Sequence, residues 1–210
     1  MSALNRLASA LNRRDEVPNQ ELARDLAAKK DKAGIREVAE NLWNKDKAIQ
    51  ADCIKVLYEI GYIQPKLIAP YVDDFAKLLK SKNNRLVWGG MTALAEASKA
   101  DPDAVFPHLE TIKKAKETGS VITVDNSISA LANTAAGSRK YSEVIFPLLL
   151  KHLSTCRPKE VPQHAERTMP AVNKSNKDAF IKVLVKRMED LNGGGLARIK
   201  KVIRQVTSIS

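Results

Sequence analysis

Few side chains in this sequence could do chemistry, and they are scattered. His108, His152 and His164 are the three histidines, they fall in three separate helical stretches, and no HExxH, CxxC or CxxxxH grouping surrounds them. His152 and Cys156 stand four apart on one helix face and could offer two ligands, but two ligands do not make a zinc site, so no metal and no cofactor is expected. A Ser, His and Asp trio in recognisable context, a GxSxG and a Walker pattern are all missing. The Gly193 to Gly195 run could turn amides toward a phosphate with Arg198 behind it. Without a following GK[ST], a flexible turn is the plainer reading. Trp88 and Asp125 offer an indole platform beside a carboxylate. The competing view makes Trp88 a large core residue for which Gly89 and Gly90 leave room. Two glycines inside a helix cost about 1 kcal/mol each against alanine, which also points to close approach by a neighbouring helix or a ligand. Cys53 and Cys156 are too few for a disulfide framework; they read as buried thiols of a reducing compartment, with a bridge between them as the alternative.

The chain that must position these groups is ordinary in composition. Of its 210 residues 44% are hydrophobic and 28% charged, with nine glycines and nine prolines. Collagen-like and wholly disordered classes are excluded. The longest apolar run, Val144 to Leu150, is interrupted by Pro147 and falls far short of the roughly 20 residues of a membrane span. Net charge is +11, but it is unevenly placed: residues 1–138 hold 20 basic and 18 acidic side chains, residues 139–210 hold 15 and 6. Such asymmetry favours an anionic partner near the C-terminal end. The first 14 residues, with Arg6, Arg13, Arg14 and no acid, have the composition of a transit peptide; Leu4, Leu7 and Leu11 at helical spacing favour a retained capping helix. No secretory signal is visible, and the expected location is cytoplasmic.

Self-similarity sets the architecture. The segments CIKVLYEIG, GMTALAEAS, SISALANTA and ERTMPAVNK align Leu57, Leu94, Leu131 and Met169 in one column, at separations of 37, 37 and 38, and a weaker copy adds Ile203. A second landmark follows at a near-constant distance, Pro70, Pro107 and Pro147, with Lys182 in the last copy; the longer step to Pro147 is assigned to a longer loop at Gly137 to Lys140. Each unit is then a helical hairpin with a proline in the opening turn of its first helix, where the lost N–H matters least. Strand patterning is absent apart from Val121 to Val124, which the repeat overrides.

A tandem of two-helix units of this length, with a proline in the first helix, resembles the HEAT-repeat branch of the armadillo-type α-solenoids. The resemblance implies an all-α, right-handed α-α superhelix forming one domain over 1–210, with capping helices in 1–31 (at about 3–13 and 18–30) and five HEAT-like hairpins over 32–207. Their pairs are 32–61, 65–100, 102–136, 139–172 and 176–207. In such a solenoid the second helices line the concave side. With the Leu57 column inward, a polar strip faces the groove: Asp52, Lys55, Glu59; Gly89, Thr92, Glu96; Asn126, Ser129, Asn133; His164, Arg167, Ala171; Arg198, Lys201, Gln205. The strip runs from mixed through neutral to basic, and a solvated face with no ligand is its equal alternative. Lys174, Lys177, Lys186 and Arg187 extend the basic character. In the last helix Leu196, Ile199, Ile203 and Val206 are expected inside, with Arg198, Lys200, Lys201 and Arg204 outside. That outer face fits an anion-binding surface and equally the polar face of a terminal repeat.

The function expected is a non-catalytic scaffold for a macromolecule, with protein as the default partner and nucleic acid, through the basic C-terminal third, as contender. The binding residues would be Trp88, Asp125, Asn126, Ser129, His164, Arg167, Arg198 and Lys201. The alternative is an enzyme: the chain is similar in length, helical content and basic groove to the HEAT-like alkylation-repair DNA glycosylases. That likeness would make Asp125 catalytic and Trp88, with Trp43, a cradle for the nucleotide.

Overall fold

Short polar residues start most of the helices. The computed structural model describes residues 2–209, so the first and last residues of the expected 1–210 domain lie outside it. Among the described residues there are twelve α-helices, several 3-10 turns and no strand. Contacts divide the chain into two compact units, Met1–Ala130 and Leu131–Ser210.

The first unit opens with a 3-10 turn, Leu4–Arg6, followed by turns rather than the helix expected over 3–13. The chain reverses at Asn12, where φ is 52°, and the Arg13 N–H returns to the Ala8 carbonyl at 2.8 Å. Leu7 is buried and Leu11 is exposed, so the helical spacing of the leucines goes unused. Then come α1 (Val17–Lys29), α2 (Lys32–Glu40), α3 (Lys47–Ile63), α4 (Val72–Leu78), α5 (Asn84–Ala97), α6 (Pro102–Val105), α7 (Leu109–Thr118) and α8 (Val121–Gly137), the last crossing into the second unit. Asp31, Asp46, Asn83 and Asp101 cap α2, α3, α5 and α6, each side chain accepting an N–H two or three residues on. Such a cap is worth about 1 kcal/mol. Helix α2 packs on α3 and α4 on α5, while α3 lies between α1 and α5. The N-terminal helix α1 thus occupies the place of a preceding repeat's second helix. Pro70 and Pro107 lie in 3-10 turns just ahead of α4 and α7.

In the second unit α9 (Arg139–Thr155) pairs with α10 (Val161–Thr168), and α11 (Lys177–Arg187) with α12 (Gly193–Thr207); α9 also packs on α11, and α10 on α12. The expected long loop is absent. Only Ser138 separates α8 from α9, where it caps Tyr141, and the extra residues lengthen α9 itself. Pro147 therefore sits inside that helix rather than in its opening turn.

The inward column holds at Leu57, Leu94 and Leu131, which are buried, each contributing about 2 kcal/mol. It fails at Met169, which is half-buried: α10 ends at Thr168, and Pro170 turns Met169–Ala171 into a 3-10 turn. In α12 the buried residues are Ile199, Val202 and Val206, with Leu196 and Ile203 only partly covered, so its inner face is rotated from the expected one.

Candidate functional site

In the first unit the polar strip starts closed. Asp52 and Lys55 are 8% and 6% exposed, against the expectation that this rung faces a groove. The N-terminal segment covers them: Asp52 accepts the Ser9 N–H at 2.8 Å and the Asn19 side-chain amide at 2.7 Å. The Lys55 ammonium meets Glu16 at 2.7 Å and Glu59 at 2.6 Å, and lies 4.9 Å from the Tyr58 ring centre. Burial alone would lower the Lys55 pKa, but the two carboxylates outweigh it and hold the ammonium protonated well above its usual range. Thr92 and Glu96 on α5 are buried as well. Charge at a repeat position marked the register here and did not mark exposure.

The next stretch is more open. Trp88 is half-buried, its ring centre 5.9 Å from that of Tyr58, which in turn lies 5.9 Å from exposed Tyr62. Gly89 and Gly90 do not leave room for the indole. A β-carbon on Gly89 would fall 2.8 Å from Ile54 of α3, and one on Gly90 3.0 Å from both Leu78 and the Phe75 carbonyl of α4. The pair lets two neighbouring helices approach α5. Asp125, Asn126 and Ser129, at the start of α8, are each half-buried. Asn126 donates its side-chain amide to the Thr92 hydroxyl at 2.7 Å, and that hydroxyl donates to the Trp88 carbonyl at 2.8 Å. This chain of bonds ties α8 to the backbone of α5 at Trp88. Trp43 is exposed on the 3-10 turn Asn41–Trp43, ahead of α3.

In the second unit His164 is not a groove residue. It is fully buried, and its Nδ1 lies 2.9 Å from the Nε2 of His152. Helix α10 turns this position toward α9, because its own hydrophobic side, Val161 and Ala165, faces the core one turn away. Arg167 is half-buried, and Arg198 is engaged with Glu166 through two bonds at 2.9 and 2.6 Å. The guanidinium holds the Glu166 carboxyl below the usual carboxylate range. Arg198 thus spends its fork on a carboxylate rather than on the Gly193 amides behind it. Arg187, counted in the basic patch, is buried and donates to the carbonyls of Leu153 and Cys156 and to Asp190. Lys200, Lys201 and Arg204 do stand exposed on α12. Neither cysteine is in a disulfide; burial pushes the Cys53 thiol up to about 12, while Cys156 is only partly buried.

Sequence reading missed the contacts that run diagonally between helices. Thr92 and Asn126 are 34 apart, one repeat less one turn, so aligned columns do not pair them. Tyr58 meets Trp88 across the same kind of offset.

Neither a family model nor a curated protein matches the sequence. Among solved structures, an engineered protein from a structural genomics consortium matches with a TM-score of 0.69 and 20% identity over 99% of this chain and 98% of its own. A designed armadillo repeat protein in complex with the peptide (KR)4 matches at 0.70 and 14%, over 98% of each chain, and another designed armadillo repeat protein at 0.66 and 14%, over 97% of this chain and 99% of its own. At these identities the likeness concerns the fold, which is an all-α repeat solenoid of stacked helical hairpins, of armadillo and HEAT type.

Proposed function

We propose that the chain is a non-catalytic scaffold that binds a protein segment on the second-helix face of its first unit, at Trp88, Asp125, Asn126 and Ser129. The observation that carries this reading is half-buried Trp88, whose ring packs against Tyr58 on a helix that the Asn126–Thr92 bond ties to α8. A fixed aromatic beside amide and carboxylate groups grips a peptide at low entropic cost. The designed armadillo protein solved with (KR)4 supports the reading by analogy of fold. The finer architecture belongs to the same proposal: five hairpins wound right-handed behind N-terminal caps, forming one domain, in a reducing cytoplasm. The test is a peptide array probed with the chain and with a Trp88→Ala, Asn126→Ala variant whose helicity is checked by circular dichroism. Loss of the bound peptides in the folded variant is expected, and an unchanged binding pattern would refute the site.

A second reading, nucleic acid on the second unit, is favoured by exposed Lys200, Lys201 and Arg204 in a region with 15 basic and 6 acidic residues. Duplex binding through four to six phosphates would give a log-log salt slope of about −4 to −5. Changing these three residues to Glu should then abolish it. Absence of binding at low salt would leave the patch as a solubilising face.

A further inference from the structure

We propose that His152, Cys156 and His164 form a site for a divalent cation of the zinc class, clamping α9 to α10; it stands apart from the scaffold reading. The sequence count stopped at two ligands because His164 is eight residues beyond Cys156 and on another helix. The fold supplies the third. His152 lies in the last turn of α9 and Cys156 is the residue just past its end, its N–H closing onto the His152 carbonyl at 2.8 Å. The turn at Pro158–Glu160 then brings α10 back so that His164 meets His152. One ligand atom from each of the three residues lies within 4.8 Å of the others.

Two nitrogens and a sulfur suit a borderline-soft cation and do not suit magnesium or calcium. Tetrahedral zinc with bonds of about 2.0 Å to nitrogen and about 2.3 Å to sulfur spaces its ligands about 3.3 to 3.6 Å apart. The imidazoles, 2.9 Å apart, need only part slightly, and the thiol at the helix end must swing in by an ångström or so. The Cys156 Sγ donates to the Leu153 carbonyl oxygen at 3.8 Å, and the buried Arg187 guanidinium donates to the same oxygen at 2.8 Å, so the thiol gives up only a weak bond when it turns to the metal. Two ion pairs flank the turn, Arg157 with Glu160 and Arg187 with Asp190. Entry is available, since Cys156 lines a surface cleft of about 410 Å³ and His152 is only half-buried. Binding replaces the proton shared between the rings. With both imidazoles neutral, that proton moves to the outer nitrogen of its own ring and the thiol releases one, so M²⁺ enters and one H⁺ leaves. Three protein ligands leave the fourth position to water.

The test titrates Zn²⁺ into the reduced chain, with Co²⁺ as the spectroscopic probe. One equivalent should bind with release of one proton, and the cobalt form should show a thiolate-to-metal charge-transfer band in the near ultraviolet. Cys156→Ser should remove that band, and both it and His152→Gln should weaken zinc binding at least about tenfold. Should either variant fold poorly, the alkylation rate of Cys156 in the unaltered chain gives the same answer, falling at least about tenfold when zinc is added. No zinc binding, a cobalt spectrum without the band, affinity untouched by both folded variants, or an alkylation rate indifferent to zinc would each overturn the site.

Discussion

Helices α3 and α12 carry polar residues at the same repeat positions, yet one face is closed and the other open. Asp52 and Lys55 on α3 are buried under Ser9, Glu16 and Asn19, whereas Lys201 and Gln205 on α12 stand in solvent. The helix itself does not decide the outcome. What decides it is whether another segment of the chain brings complementary charge to that face. Buried polar groups must be satisfied, so the closed face depends on its cover in a way the open one does not.

The largest effect should come from removing that complement. Asp52→Ala strands the Ser9 N–H and the amide of Asn19, which is itself buried and accepts the Ala8 N–H at 3.0 Å. Losing charge-assisted bonds and leaving their donors buried should cost about 3 kcal/mol in urea unfolding, with faster amide exchange at Ala8 and Ser9. A loss under 1 kcal/mol would mean that the cover is ornamental.

Gly89→Ala tests the other side of the same closed region. Helix propensity gains about 1 kcal/mol, but the new methyl meets Ile54 at 2.8 Å in the middle of α3, and overpacking costs about 1 to 3 kcal/mol. A net loss of about 1 kcal/mol is expected by the same measurement. Net stabilisation would show that α3 and α5 can part without strain.

These two sites show what the sequence could and could not disclose. The hairpins were legible because Leu57, Leu94 and Leu131 recur at separations of 37 with Pro70, Pro107 and Pro147 between and after them, which are properties of the chain itself. Exposure was not legible. Burial of Asp52 depends on an N-terminal segment whose helical spacing proved misleading, since the chain turns through Asn12 and leaves Leu11 exposed. The Met169 column failed for a local reason visible in hindsight, because Pro170 cannot continue the helix. Of the residues expected to bind, Trp88, Asp125, Asn126 and Ser129 are half-buried on α5 and α8, while His164 is buried. Periodicity finds columns, and side chains that meet on a diagonal escape it.

On the open face the effect should be small. Arg198→Ala removes a two-bond pair with Glu166, but the side chains are 47% and 41% exposed, so water replaces most of what is lost and the cost should be about 0.5 kcal/mol. Its signature is in pH dependence. Glu166 titrates below its unfolded value, so the pair's stabilisation is present above that value and disappears as pH falls through the folded one. The variant should lose this slope on the acid side, and the Glu166 carboxyl should titrate higher when followed by NMR. A cost near that of Asp52→Ala would erase the contrast between the two faces.

The smallest expected effect is none at all. Asp125→Asn should leave base release unchanged at zero when duplex DNA carrying a methylated, positively charged base is incubated with the chain. Excision needs a carboxylate held against the sugar of the flipped nucleotide and a free aromatic surface for the base. The Trp88 indole instead has Tyr58 against it, their rings tilted by 51°, with Tyr58 itself buried. The helix that carries the indole is bound to α8 through Thr92 and Asn126, one residue past Asp125, which fixes the two helices against each other. A rigid face of this kind suits a partner that lies along it rather than a base drawn into it. Release by the chain that vanishes in the Asn variant would make Asp125 catalytic and turn the half-open stretch of the first unit into an active site.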